Sequence, residues 1–351
     1  MEYSEIAYKI VNYILNLKAG QSVTISAEIH NVFDNNEPLA QIPFLEELAL
    51  VVRKVKGLPI LDISTENLHK RFFEEISDDL TNTSTELLYK WLDSADMFID
   101  LGWRSNPLFY KSIPERSYNR LNLFNKDFKK LFELKNKKLL LLGYPTIGLA
   151  KYLDIDQLLL KKIYFTALNV NYYDVKKRCT VLDTYLKKSN KWTIVKEEHA
   201  LMIELIGNSA TYYGDMQNDT IITLPTGYCT QAVNTLNISG TIYCDQIYLE
   251  NHVWRNVRLV FGSGRLIRVD AGTQEKSVNL LQTTLFDEME HITLQIGLNH
   301  AIKERSLYHL FDSVKYKNIS LNIETKKGQV LVLTENASVC LEKGKNILDE
   351  V

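Results

Sequence analysis

The chain is poor in the residues that staple small scaffolds. Only four cysteines stand in 351 residues, Cys179, Cys229, Cys244 and Cys340, and no two are spaced C-x-x-C. That spacing argues against a structural zinc site and against a disulfide framework. An excess of one charge is also missing, since 41 Lys+Arg meet 43 Asp+Glu for a formal net charge of −2. The protein therefore presents no whole-molecule field to nucleic acid or to an anionic membrane. No apolar run approaches the roughly 18 residues that span a bilayer. The opening Met-Glu-Tyr-Ser-Glu-Ile lacks the basic and apolar regions of a signal peptide. A soluble, cytoplasmic protein is expected, with neither nucleic acid nor membrane as partner. Phosphate loops and the G-x-S-x-G elbow are absent as well, and Gly262-Ser263-Gly264 is expected to turn a hairpin.

What is present is core-forming material, with 45% hydrophobic residues in an ordered pattern. Ile6, Ile10, Val11, Ile14 and Leu15 at helical spacing predict an opening helix over 3–17. Short apolar strands then alternate with helices: strands at 22–26, 60–63, 97–101 and 138–142, and helices at 37–55, 66–76, 84–93, 115–134, 147–151, 155–168 and 171–188. Such alternation predicts a mostly parallel sheet covered by helices. From Trp192 the texture changes to strands, at 192–196 and 200–206 and then through 220–270. A helix is expected over 274–290, with further strands to the end. The predicted division is an N-terminal Rossmann-like α/β domain over 1–200 and a C-terminal β-rich domain over 201–351.

Five segments carry a family resemblance in a shared order. They are Leu17-Lys18-Ala19-Gly20-Gln21-Ser22-Val23-Thr24-Ile25, Glu37-Pro38-Leu39-Ala40, Ser94-Ala95-Asp96-Met97, Gly143-Tyr144-Pro145-Thr146 with Leu149-Ala150, and Leu224-Pro225-Thr226-Gly227. In this order the chain resembles the metallo-aminopeptidases of the aminopeptidase T type along nearly its whole length. The resemblance implies that family's fold: an N-terminal Rossmann-like α/β domain plus a C-terminal β-rich (α+β) domain. It also implies a peptide or peptide-like ligand, and a homodimer or a heterodimer with a homologue.

In the family, two Glu, two His and one Asp hold a pair of metal ions whose bridging water attacks the first peptide bond. The first Glu follows the Leu-Pro-x-Gly turn, where this chain has Tyr228. The second lies six residues before the Asn of Gly297-Leu298-Asn299, at Thr293. Counting eight residues from Asp312 puts the first His at Ser320. The last strand puts the remaining His and Asp at Gln329 and Leu331. No histidine follows His309, so no slip of the alignment restores the set.

The resemblance thus points to an aminopeptidase-like protein without the dinuclear site and with no cofactor expected. It would bind a peptide, or modify one by non-hydrolytic chemistry, for instance as a maturase of a peptide natural product. Two alternatives stand beside it: an active metal-dependent aminopeptidase, and a non-catalytic partner of an active homologue. A single iron or zinc ion is left open, since His291 shares a strand face with Thr293 and His300 follows Gly-x-Asn. Against that, Asp287, Glu288, Glu290 and His291 also read as the solvated end of a helix, and His300 as a loop histidine. Arg104 follows the strand 97–101, where an α/β sheet presents its loops, and is the last candidate for meeting a ligand.

Overall fold

The computed structural model describes residues 3–29, 41–75, 85–102, 107, 128–216, 219–249, 252–271, 281–285, 289–306, 308–326, 328–341 and 346–351. Among them no helix is long and apolar enough to cross a membrane. The chain divides into two compact units, Met1–Asn169 with Gly214–Pro225, and Val170–Tyr213 with Thr226–Val351.

The first unit opens with α1 (Tyr3–Lys9), which widens into a π-helical turn over Ile10–Ile14 rather than running on as one α-helix. Five parallel strands follow: β1 (Ser22–Ile29), β2 (Leu58–Thr65), β3 (Met97–Asp100), β4 (Lys138–Leu141) and β7 (Ile221–Thr223), in the order β2-β1-β3-β4-β7. Between β1 and β2 runs α2 (Ile42–Lys54), with Pro43 in its first turn, where a missing N–H costs nothing. It buries Phe44, Leu45, Leu48, Val51 and Val52, one stripe at 3.6-residue spacing. Helices α3 (Glu66–Glu75), α4 (Thr85–Asp93), α5 (Ile147–Leu153) and α6 (Gln157–Leu168) complete the described helices of this unit, with residues 128–134. Thr146 caps α5 through Leu149 N, and Asp156 caps α6 through Leu159 N.

The second unit is built on a ten-stranded sheet, ordered β11-β10-β9-β14-β13-β12-β8-β6-β5-β15. Its members are β5 (Lys191–Lys196), β6 (His199–Tyr212), β8 (Tyr228–Val233), β9 (Ser239–Leu249), β10 (His252–Gly262), β11 (Arg265–Asp270), β12 (Met289–Gly297), β13 (Ile319–Thr325), β14 (Gly328–Thr334) and β15 (Ser338–Leu341). Helix α7 (Tyr172–Lys188), capped by Asn171, lays Val175, Cys179, Leu182 and Leu186 into the core. The sheet contributes Cys229 and Val233, Ile247 and Leu249, Ile292, Leu294 and Ile296, Leu321 and Ile323, and Val330 and Val332 to the same core. One face of each strand is thereby committed to the interior.

Three expectations are corrected. A single cut at residue 200 fails because α7 and β5 pack with the second unit, while β7 returns to pair β4 in the first. The helix expected over 274–290 is helical at 281–285, but Met289–Gly297 is a strand. Glu290 and His291 therefore do not end a helix: the alternation of Ile292, Leu294 and Ile296 wins over the helical pattern before it. Asp287 and Glu288 lie outside the described residues, as do 37–40 and 115–127. Finally, Gly207-Asn208-Ser209 does not end a strand. It is a bulge within β6, which resumes pairing with β8 at Ala210.

Candidate binding site

Residues paired across antiparallel strands point to the same face, and alternate residues of a strand do so too. Tyr228 pairs Gly297, Thr230 pairs Gln295 and Ala232 pairs Thr293. Gln295 pairs Ser320, Thr293 pairs Asn322 and His291 pairs Glu324. Across β14 the rows continue to Leu333, Leu331 and Gln329, and across β9 to Gln246 and Tyr248. Tyr228, His291, Thr293, Ser320, Gln329 and Leu331 therefore share one face, opposite to the face that fills the core. At its β6 side Tyr212 stacks on Tyr228, ring centroids 4.6 Å apart and 22° from parallel.

The chain between β12 and β13 lies across this face. It is described at 298–306 and 308–318, and we call it the strap. Asn299 N donates to Val314 O, Tyr316 N to Asn299 O and Lys317 N to Gly297 O. Gln295 Nε2, on the face, donates to Ser313 O at 3.2 Å. Gly297 is required here, because a Cβ would lie 2.2 Å from Lys315 O and 2.8 Å from Ser313 O.

Between strap and sheet is a buried polar cluster. Ser306 donates to Asp312 Oδ1 through its backbone N and through its Oγ, each at 2.8 Å. Asn318 Nδ2 donates to Asp312 O at 2.7 Å. Arg305 Nε lies 2.6 Å from Glu335 Oε1. Gln246 satisfies its neighbours with its amide oxygen toward Arg305 and its nitrogen toward the Tyr248 hydroxyl. Glu335 N in turn donates to Asp245 Oδ2, which pairs with Lys196. Burial pushes the Asp312 carboxyl up to about 6, against the Ser306 hydrogen bonds that favour its charged form. Burial, and the charge of Asp312, push the Tyr248 phenol up.

No protein-family model matches this chain, and no curated protein does. Among solved structures, it superposes on wild-type AmpT from Thermus thermophilus with a TM-score of 0.67 at 13% identity, covering 98% of this chain and 96% of that one. This chain has an aminopeptidase T-like fold. It is also similar to 2,5-dihydroxypyridine dioxygenase from Pseudomonas putida KT2440, with a TM-score of 0.60 at 12% identity, covering 97% and 94% of the two chains.

Within this aminopeptidase T-like fold, the donor set at the five mapped positions does not suit a pair of divalent ions. Tyr228, Thr293, Ser320 and Gln329 offer neutral oxygens and an amide, and Leu331 offers nothing, whereas such ions take carboxylate or imidazole ligands. Among the described residues no three His, Cys, Asp or Glu gather as a metal would require.

The structure separates the remaining candidates. His291 is exposed at the start of the face, opposite Glu324. The charges around His300 are Arg178 and Asp174 of α7 and Lys303. Burial first, then Arg178 and Lys303, push its imidazole down. Arg104 lies outside the described residues. Sequence reasoning used Asp312 only as a counting mark and passed over Gln246, Tyr248, Arg305 and Glu335. In β9 the alternation Gln246-Ile247-Tyr248-Leu249 marks Gln246 and Tyr248 as one face, but only the strap makes that face an interior.

Proposed function

We propose that this is an aminopeptidase-like protein that has lost the dinuclear metal site and kept a surface for a peptide. It binds the peptide, or modifies it by chemistry other than hydrolysis. Maturation of a ribosomally made peptide natural product is the use we favour, in the cytoplasm, by a homodimer or a heterodimer with a homologue. One observation carries the proposal: the five positions matched to metal ligands share one sheet face and hold Tyr228, Thr293, Ser320, Gln329 and Leu331. The retained fold over nearly the whole chain supports a retained ligand class.

The test is hydrolysis of amino-acid anilides by protein purified without chelator, repeated with chelator added. No chelator-sensitive hydrolysis is expected. Chelator-sensitive turnover would identify an active metallo-aminopeptidase and overturn the proposal. Co-purification with an active homologous chain, without peptide binding by this chain, would favour a non-catalytic partner subunit instead.

A further inference from the structure

The edge strands of the two sheets are not guarded alike. An open edge offers a row of unpaired N–H and C=O groups, which proteins blunt with charge, brevity or cover. Strand β11 carries Arg265, Arg268 and Asp270, β7 is three residues long, and β15 is bridged from Cys340 to Asn346. Strand β2 is eight residues long, with Asp62 as its one charge. All of it pairs with β1, and among the described residues no strand pairs with its other side. Its Leu58, Leu61 and Ile63 are 53%, 47% and 45% exposed.

The backbone of β2 is set to pair again. Leu58 N donates to Gln21 O. Alternate residues of a parallel ladder bond to the same neighbour, so the even-numbered residues of β2 turn their N–H and C=O toward β1. Pro59, Leu61 and Ile63 turn theirs outward. Pro59 thus stands where β1 asks for no donor. The side chains of these three share one face. Asp62 is on the other face, where it accepts from Ser26 Oγ at 3.3 Å.

We infer that β2 is an interface between two copies of this chain, joined antiparallel about a twofold axis at Leu61. A strand that meets its own copy across a twofold is self-complementary. In this register Leu61 faces Leu61 of the second copy, Ile63 faces Pro59 and Asp62 faces Ile60. Leu61 N–H and Ile63 N–H of each copy donate to the Leu61 and Pro59 carbonyls of the other, so Pro59 is asked only to accept. Charge is complementary as well, because Lys56 comes level with Glu66 of the other copy at both ends. Centring on Asp62 would oppose two carboxylates. The two five-stranded sheets become one continuous sheet. This gives the homodimer of the proposed function a surface and rests on that reading for the second copy; the peptide face of the second unit takes no part.

The experiment is sedimentation velocity on the full chain from about 1 µM to about 100 µM, with Leu61→Lys and Leu61→Pro alongside. The wild type should be dimeric. Leu61→Lys sets two ammonium groups opposite each other and Leu61→Pro removes the outward donor, so each should weaken the dimer by about tenfold or more. Oxidised glutathione supplies the second readout, which stands even if the proline variant misfolds. Opposite Cα atoms of a hydrogen-bonded antiparallel pair lie about 5.5 Å apart, within disulfide reach. Leu61→Cys should therefore cross-link, while Leu58→Cys, similarly exposed but opposite Ser64, should not. A dimer indifferent to the Leu61 substitutions, or a Leu61→Cys dimer that does not cross-link, would overturn the surface and leave the homodimer reading standing. A monomer throughout would overturn both, leaving the edge to a strand from another protein.

Discussion

Replacing Gly297 by alanine tests whether the strap lies on the sheet face as described. The added Cβ would sit 2.2 Å from Lys315 O and 2.7 Å from Val314 C, and it must retreat by about 0.8 Å to reach the 3.0 Å that Cβ contacts respect. The obstacle is backbone on both sides, so no side-chain rotation relieves it. A shift of that size breaks or lengthens Asn299 N to Val314 O, Tyr316 N to Asn299 O, Lys317 N to Gly297 O and Gln295 Nε2 to Ser313 O, now 2.9–3.2 Å. At about 0.5–1 kcal/mol for each of the four bonds, weakened rather than all lost, the strap loses about 2–4 kcal/mol. Hydrogen exchange measures this locally, without assuming that two compact units unfold as one. The amides of Asn299, Tyr316 and Lys317 should exchange about thirtyfold to several hundredfold faster in Gly297→Ala, at about 1.4 kcal/mol per tenfold. Unchanged protection of these amides in a folded variant would refute the packing of the strap.

Three further predictions follow from side chains already described. The Asp312 carboxyl is raised from 3.8 to about 6, so the native state holds its proton more tightly than the unfolded chain. The stability it contributes is full below about pH 4 and is lost as pH rises through 6, about 3 kcal/mol in all. Asp312→Asn should flatten that slope in urea midpoints compared at pH 5 and pH 8, and an unchanged slope would count against it. His69, whose Nδ1 lies 2.9 Å from Glu28 Oε1, is raised above 6.5 chiefly by that hydrogen bond. Its support is present below pH 6.5 and lost as pH climbs through the raised value; an NMR titration should place it above 6.5, and Glu28→Gln should bring it down. Tyr228→Ala removes the stack on Tyr212 and should lower stability by about 0.5–1.5 kcal/mol in urea unfolding. No change there would mean the pair packs without consequence.

Much of the first unit was legible because its strands are short apolar runs between amphipathic helices, and Leu139-Leu140-Leu141 can hardly be anything but a covered strand. Strand β7 was not legible as its partner: Ile221-Ile222-Thr223 is only three residues long, and its pairing with β4 is set by tertiary packing. The bulge at Gly207-Asn208-Ser209 carried turn chemistry, which in isolation predicts an end rather than an interruption. Met289 and Glu290 were assigned to a helix because the polar run before them outweighed the alternation that begins at Ile292. The site divided in the same way. Positions tied to motifs, such as Tyr228 after Leu224-Pro225-Thr226-Gly227, could be named from spacing. The Asp312 cluster could not, since Gln246, Tyr248 and Asp312 become interior only when the strap crosses the sheet.

A metal titration asks whether the five positions matched to metal ligands can hold two metal ions. Wild-type protein, stripped of metal and titrated calorimetrically with zinc and with manganese, should show no stoichiometric site. Restoring the ligand set with Tyr228→Glu, Thr293→Glu, Ser320→His, Gln329→His and Leu331→Asp in a folded chain should create metal binding at that face. Two equivalents of tightly bound metal in the wild-type protein would mean that other residues supply the ligands and that the dinuclear site has not been lost.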